Sequence, residues 1–76
     1  MTPKRIFMLG ATGTIGQATR AALVRRGHYV VCFARPAARL DSGDDTATEW
    51  RFGDVTDVHS LQHDGFRGEQ FDVLLS

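Results

Sequence analysis

Gly10-Ala11-Thr12-Gly13-Thr14-Ile15-Gly16 sets three glycines three apart, between an apolar run, Arg5–Leu9 (RIFML), and a helix-forming stretch, Thr14 to Arg26. Strand, glycine turn and helix in that order make a cradle for phosphate. The N–H groups of the first helical turn lack partners within the helix and, with the helix dipole, attract anions. Gly10 permits a sharp turn off the strand, Gly13 leaves the backbone open to a pyrophosphate, and Gly16 lets the helix lie close on the sheet. Thr12 and Thr14 add hydroxyl donors. A tight turn with no ligand is the competing reading, but the strand before and the helix after favour a dinucleotide fingerprint. The other phosphate loop, GxxxxGK[ST], needs a Lys-Ser/Thr pair where Gln17-Ala18 stand.

Outward from the turn, Ile15, Ala18, Thr19, Ala22 and Leu23 share one helix face, with Gln17 and Arg20 opposite. Gly27 stands at the C-terminal cap, with Arg25 and Arg26 closing the last turn. Tyr29–Ala34 (YVVCFA) is apolar throughout, as in a strand covered on both faces. Pro36 stops it, and residues 36–48 form a polar crossover with at most one helical turn at Ala37–Leu40. Glu49–Phe52 (EWRF) predicts a third strand, with Trp50 and Phe52 covering one sheet face. Thr56 or Asp57 then caps a short helix through about Asp64, and Gly65 and Gly68 break the chain. Phe71–Leu75 (FDVLL) predicts a fourth strand. The order β-α-β-β-α-β implies an α/β fold, the N-terminal part of a doubly wound parallel sheet of the Rossmann type, with strands in the order 3-2-1-4. Residues 1–76 would then form an incomplete nucleotide-binding domain.

Composition bounds the function. At 76 residues the core is thin, and 42% hydrophobic with 24% charged residues is ordinary for a globular protein. No apolar run approaches the roughly 20 residues of a membrane span, and none fits a signal peptide. The single Cys32 excludes an internal disulfide or a CxxC pair and favours a reducing, cytoplasmic setting. The zero net charge is a split: residues 1–40 hold Lys4, Arg5, Arg20, Arg25, Arg26, Arg35 and Arg39 with no acid, and every acid lies from Asp41 to Asp72. A basic front half suits a phosphate-bearing ligand; nucleic acid could use the same charge, but the glycine turn favours a dinucleotide.

Arg35, one residue past the second strand, stands where NAD sites usually place Asp or Glu for the ribose hydroxyls. A guanidinium there pairs with a 2′-phosphate that a carboxylate would repel, which points to NADPH, with Arg39 assisting. The alternative is a solvated charge at a strand end. Asp54 and Val55, just past the third strand, suit adenine, the one accepting its amino group and the other giving an apolar face. Helix capping by Asp54 remains open. His59 and His63 stand four apart with no third ligand and read as a solvated helix face. Tyr29 and Cys32 read as packing residues and His28 as solvent-facing. No Ser/His/Asp, Cys/His or paired-carboxylate constellation is present, so no catalytic residue is assigned.

GATGTIG, VVCFARP, FGDVTD and DGFRGEQFDVLLS together resemble the atypical short-chain dehydrogenase/reductases. More narrowly they resemble the 8-vinyl reductases that act on divinyl (proto)chlorophyllide in (bacterio)chlorophyll biosynthesis in phototrophic bacteria. The resemblance spans essentially the whole chain. It implies an oxidoreductase that uses NADPH to reduce a C=C bond, the 8-vinyl group of a tetrapyrrole, to ethyl. By position it places Gly10, Thr12, Gly13, Ile15 and Gly16 on the pyrophosphate, Arg35 on the 2′-phosphate, and Asp54 and Val55 on adenine. It also implies a longer protein, whose catalytic tyrosine/lysine region and pigment pocket lie beyond Ser76. The 76 residues alone are then expected to be inactive, and their apolar fourth strand, an edge, to make them poorly soluble. Other readings are a different atypical reductase, a non-catalytic NADP-binding regulator, or an inactive truncated product.

Overall fold

A computed structural model describes residues 3–10, 13–35 and 47–76. Strand β1 (Arg5–Leu9) leads through helix α1 (Thr14–Arg25) to β2 (Tyr29–Ala34). Strand β3 (Thr48–Phe52) leads through α2 (Val58–Ser60) and a π-helical segment (Leu61–Phe66) to β4 (Val73–Leu75). All four strands are parallel and lie in the order β3-β2-β1-β4, as the sequence predicts. Helix turns at Ala37–Leu40, and Thr12 and Arg39, lie outside the described residues.

The pleat divides the core in two. Met8, Val30 and Cys32 face α1 and pack with Leu23, Val24, Trp50 and Leu75. Phe7, Val31 and Phe33 face the opposite side and pack with Leu61, Phe66 and Phe71. β2 is buried from Val30 to Ala34, which explains its unbroken apolar sequence. Fully burying Phe7 or Phe33 contributes roughly 1.5–3 kcal/mol each.

Several expectations are corrected. The predicted inner face of α1 is open toward its N-terminal end, where Ile15 is 83% exposed and Ala18 is exposed, while Thr19, Ala22 and Leu23 are half-buried. Leu23, on that predicted face, and Val24 beside it pack against the sheet near the helix end. Small side chains at Ala18, Thr19 and Ala22 cover little of the sheet, so the helix is anchored only where larger ones reach it. His28 is buried, not solvent-facing, because its Nδ1 accepts the Lys4 N–H at 3.1 Å and ties the start of β1 to that of β2. Gly65 does not break the helix. It lies buried within the π-helical segment, where an added Cβ would sit 3.1 Å from Phe7 Cζ, and the chain turns instead at Arg67 and Gly68, both with positive φ. Of Trp50 and Phe52, only Trp50 covers the sheet; Phe52 is 44% exposed.

Gly53 marks the tightest approach. A Cβ there would fall 2.5 Å from Ser60 Oγ and 2.7 Å from Phe33 Cζ. Gly53→Ala is therefore expected to cost about 1–3 kcal/mol, read as a lower urea midpoint with an unchanged slope. An unshifted midpoint would mean that Ser60 and Phe33 move aside freely.

Candidate functional site

The strand order reverses at β1. From β1 the chain moves through α1 to β2 on one side, and from β3 it crosses to β4 on the other. Open parallel sheets bind ligands at such a switch point, outside the carboxyl ends of the strands. A crevice of about 520 Å³ lies there, lined by Leu9, Gly10, Gly13, Thr14, Ile15, Gly16, Leu75 and Ser76. That volume falls in the range of small-molecule sites, about 300–1,000 Å³.

The glycine turn forms one wall. Gly10 has φ +73°, a left-handed conformation that lets the chain leave β1 abruptly. Gly13 is the N-cap of α1 with extended backbone (φ −80°, ψ 172°) and provides no side-chain cap. The first intrahelical bond runs from Gln17 N–H to the Gly13 carbonyl at 2.9 Å, so the N–H groups of Thr14, Ile15 and Gly16 have no acceptor within the helix. No acid occupies the first turn to compete for them. A Cβ built on Gly13 would meet nothing within 4 Å. These features fit a pyrophosphate: open space, free donors and a helix dipole converge on one spot.

Arg35 and Asp54 stand further along the same edge, past β2 and β3, and both are exposed. The Asp54 carboxylate accepts the Thr56 N–H at 2.9 Å and the Thr56 hydroxyl at 2.6 Å. Those bonds, with a smaller contribution from the Arg35 charge, hold its carboxyl below the ordinary carboxylate range. Asp54 does not cap α2; Asp57 does, its side chain accepting the His59 N–H at 2.9 Å. The capping alternative for Asp54 at α2 is thus removed. The Asp54 N–H donates to Ser60 Oγ at 2.9 Å, which fixes the backbone as well. Val55 is 37% exposed beside it.

The sequence-predicted residues therefore fall in two groups on one sheet edge, the glycine turn at β1 and Arg35, Asp54 and Val55 at β2 and β3. The imidazoles of His59 and His63 stack with centroids 6.5 Å apart, and no group of three or more metal-ligating side chains occurs among the described residues. Sequence reasoning missed Arg51, which is 3% exposed and holds Glu49, Glu69 and the Gly65 carbonyl. Its signal was present: residues 49 and 51 are two apart on a strand and so share a face, which allows an ion pair across it.

Sheet order, crevice and glycine turn together define a nucleotide-binding α/β protein of the Rossmann type. A model of the NAD dependent epimerase/dehydratase family matches residues 6–75, and the chain belongs to that family. Over 67 residues it is 37% identical to divinyl chlorophyllide a 8-vinyl-reductase, chloroplastic, of Oryza sativa subsp. indica, a match that covers 78% of this chain and 16% of that protein. The chain thus spans a small part of the relative's length. The crystal structure of the Bordetella bronchiseptica enzyme WbmG in complex with NAD aligns with a TM-score of 0.79 at 20% identity, over 99% of this chain and 25% of that one. That likeness is one of fold. No helix among the described residues is long and apolar enough to cross a membrane.

Proposed function

We propose that this chain supplies the dinucleotide-binding part, an incomplete domain over residues 1–76, of an NADPH-dependent reductase. Its substrate is the 8-vinyl group of divinyl (proto)chlorophyllide, reduced to ethyl in (bacterio)chlorophyll biosynthesis. When bound, NADPH supplies a hydride that, with one proton, converts the vinyl C=C to ethyl and leaves NADP+. The backbone N–H groups of Thr14, Ile15 and Gly16 hold the pyrophosphate, with Gly10 and Gly13 keeping its approach clear and Thr12 adding a hydroxyl. Arg35 holds the 2′-phosphate, while Asp54 accepts the adenine amino group and Val55 packs against its ring. Leu75 and Ser76 line the β4 end of the crevice, which is the side left for the nicotinamide and the pigment.

The observation that carries the cofactor reading is Arg35 at the end of β2, on the same edge as an acid-free helix N-terminus. The substrate reading is supported by the likeness to the rice 8-vinyl-reductase. A reducing, cytoplasmic setting suits a sequence whose one cysteine, Cys32, is a buried thiol. Arg35→Ala is expected to weaken NADPH binding about 10–100-fold, the loss of one charge-assisted contact, and to leave NADH binding nearly unchanged. Equal affinity of the unaltered protein for both nucleotides, or an unchanged preference in the variant, would refute the assignment of Arg35. For the substrate, deletion of the gene should leave divinyl pigments in place of monovinyl ones.

A further inference from the structure

The geometry points to Phe52 as the aromatic surface on which the adenine ring stacks, an inference that rests on the dinucleotide reading above. Phe7 and Phe33 are fully buried, and Phe66 and Phe71 pack against them, but Phe52 is 44% exposed. Scattered exposed apolar side chains are common, and it is the position of this one that gives it a role. Phe52 ends β3 at the carboxyl edge and pairs with Ala34, the residue before Arg35. Two residues after Trp50, it lies on the α1 face of the sheet, the face of the helix whose N-terminus receives the phosphates.

From β1 to β3 is two strand spacings, about 10 Å, a span that a ribose and base can bridge from a pyrophosphate at Gly13. A ring arriving there meets Phe52 on one side and Val55 beyond, with Asp54 between them in sequence. The next residue, Gly53, lies close against Phe33 and Ser60, where an added Cβ would fall 2.7 and 2.5 Å from their side chains. Bases gain affinity by stacking on aromatic faces whatever their identity, so a purine would cover this ring without a dedicated hydrogen-bond code.

The test is titration of the protein with NADPH and with adenosine 2′,5′-bisphosphate, which keeps the adenine, the 2′-phosphate and the 5′-phosphate but lacks the second phosphate of the pyrophosphate and the nicotinamide. Phe52→Leu is expected to weaken both about tenfold, while Phe52→Tyr stays within about twofold of the unaltered protein. Phe52→Trp adds an optical readout, since adenosine 2′,5′-bisphosphate should quench the new indole on stacking. Because Phe52 is half-exposed, the leucine leaves no core void, and an unchanged melting temperature confirms the fold. If Phe52→Leu binds both nucleotides as well as the unaltered protein, or the indole is not quenched on binding, stacking is overturned while the dinucleotide site stands. If the unaltered protein binds neither nucleotide, the dinucleotide site and the stacking role both fall.

Discussion

Gly13→Asp is expected to abolish dinucleotide binding while leaving the fold as stable as before, or slightly more so. The two effects have opposite signs because they act on the same N–H groups. Gly13 is the N-cap of α1 with the extended backbone an N-cap takes, and a Cβ there meets no neighbouring atom within 4 Å. An aspartate fits without strain and can accept an N–H of Ile15 or Gly16, a better cap than glycine by a few tenths of a kcal/mol. The same carboxylate fills the space proposed for the pyrophosphate. Two unit charges about 4 Å apart near a protein surface repel by roughly 4 kcal/mol, so binding should fall by about 100-fold or more even after screening by salt. A fluorescence titration with NADPH and a thermal melt on the same sample read both effects. Tight binding by the variant would remove the phosphates from α1, and a large drop in melting temperature would show that Gly13 is required by the fold instead.

The largest effect on stability is expected at Arg51. Its guanidinium donates to Glu49 at 2.5 Å, to the Gly65 carbonyl at 2.7 Å and to Glu69 at 2.8 Å. Glu69 also accepts from Arg5 at 2.6 Å, and the Arg5 guanidinium lies 4.8 Å from the Phe71 ring centroid. One buried cation thus ties β3 to the π-helical segment and to the approach of β4. Arg51→Met keeps the bulk of the side chain but leaves the Gly65 carbonyl unpaired and removes the charge that holds the two glutamates. Removing one partner of a buried pair costs about 3–5 kcal/mol; here both glutamates can rehydrate, which puts the expected loss at about 2–4 kcal/mol. Arg51→Lys restores the charge but not the three-way fork and should recover only part of it.

The same network sets a pH dependence. Hydrogen bonds from Arg51 lower the carboxyls of both Glu49 and Glu69 from their ordinary value near 4.5. A depressed carboxyl stabilises the folded state above its unfolded value, and that contribution is lost as the pH falls through the folded value. Stability of the unaltered protein should therefore decline as the pH falls below about 4.5, and Arg51→Met should flatten that decline. Urea unfolding at a series of pH values checks the slope; parallel curves for the two proteins would exclude Arg51 as its cause.

Strand order and the glycine turn were legible in the sequence because each has a local cause. Tyr29–Ala34 is apolar at every position because both its faces are covered, and Gly10 stands where φ is +73°. What was not legible depends on contacts distant in sequence. His28 is buried by a bond to Lys4, 24 residues earlier, and Arg51 by groups 14 and 18 residues later. Ile15 carries an apolar pattern but stays exposed, since helical spacing shows which residues share a face and not whether anything covers it. Gly65 read as a breaker because glycine usually is one; here its missing side chain admits the π-helical segment against Phe7 and Phe33.

Binding of one dinucleotide along the carboxyl edge from β1 to β3 can be followed through backbone amide resonances during an NADPH titration. Saturable shifts are expected at Gly13, Thr14, Ile15 and Gly16 together with Arg35, Asp54 and Val55, all with one dissociation constant. Shifts confined to other surfaces, or saturation without change at the Thr14–Gly16 amides, would contradict binding along that edge.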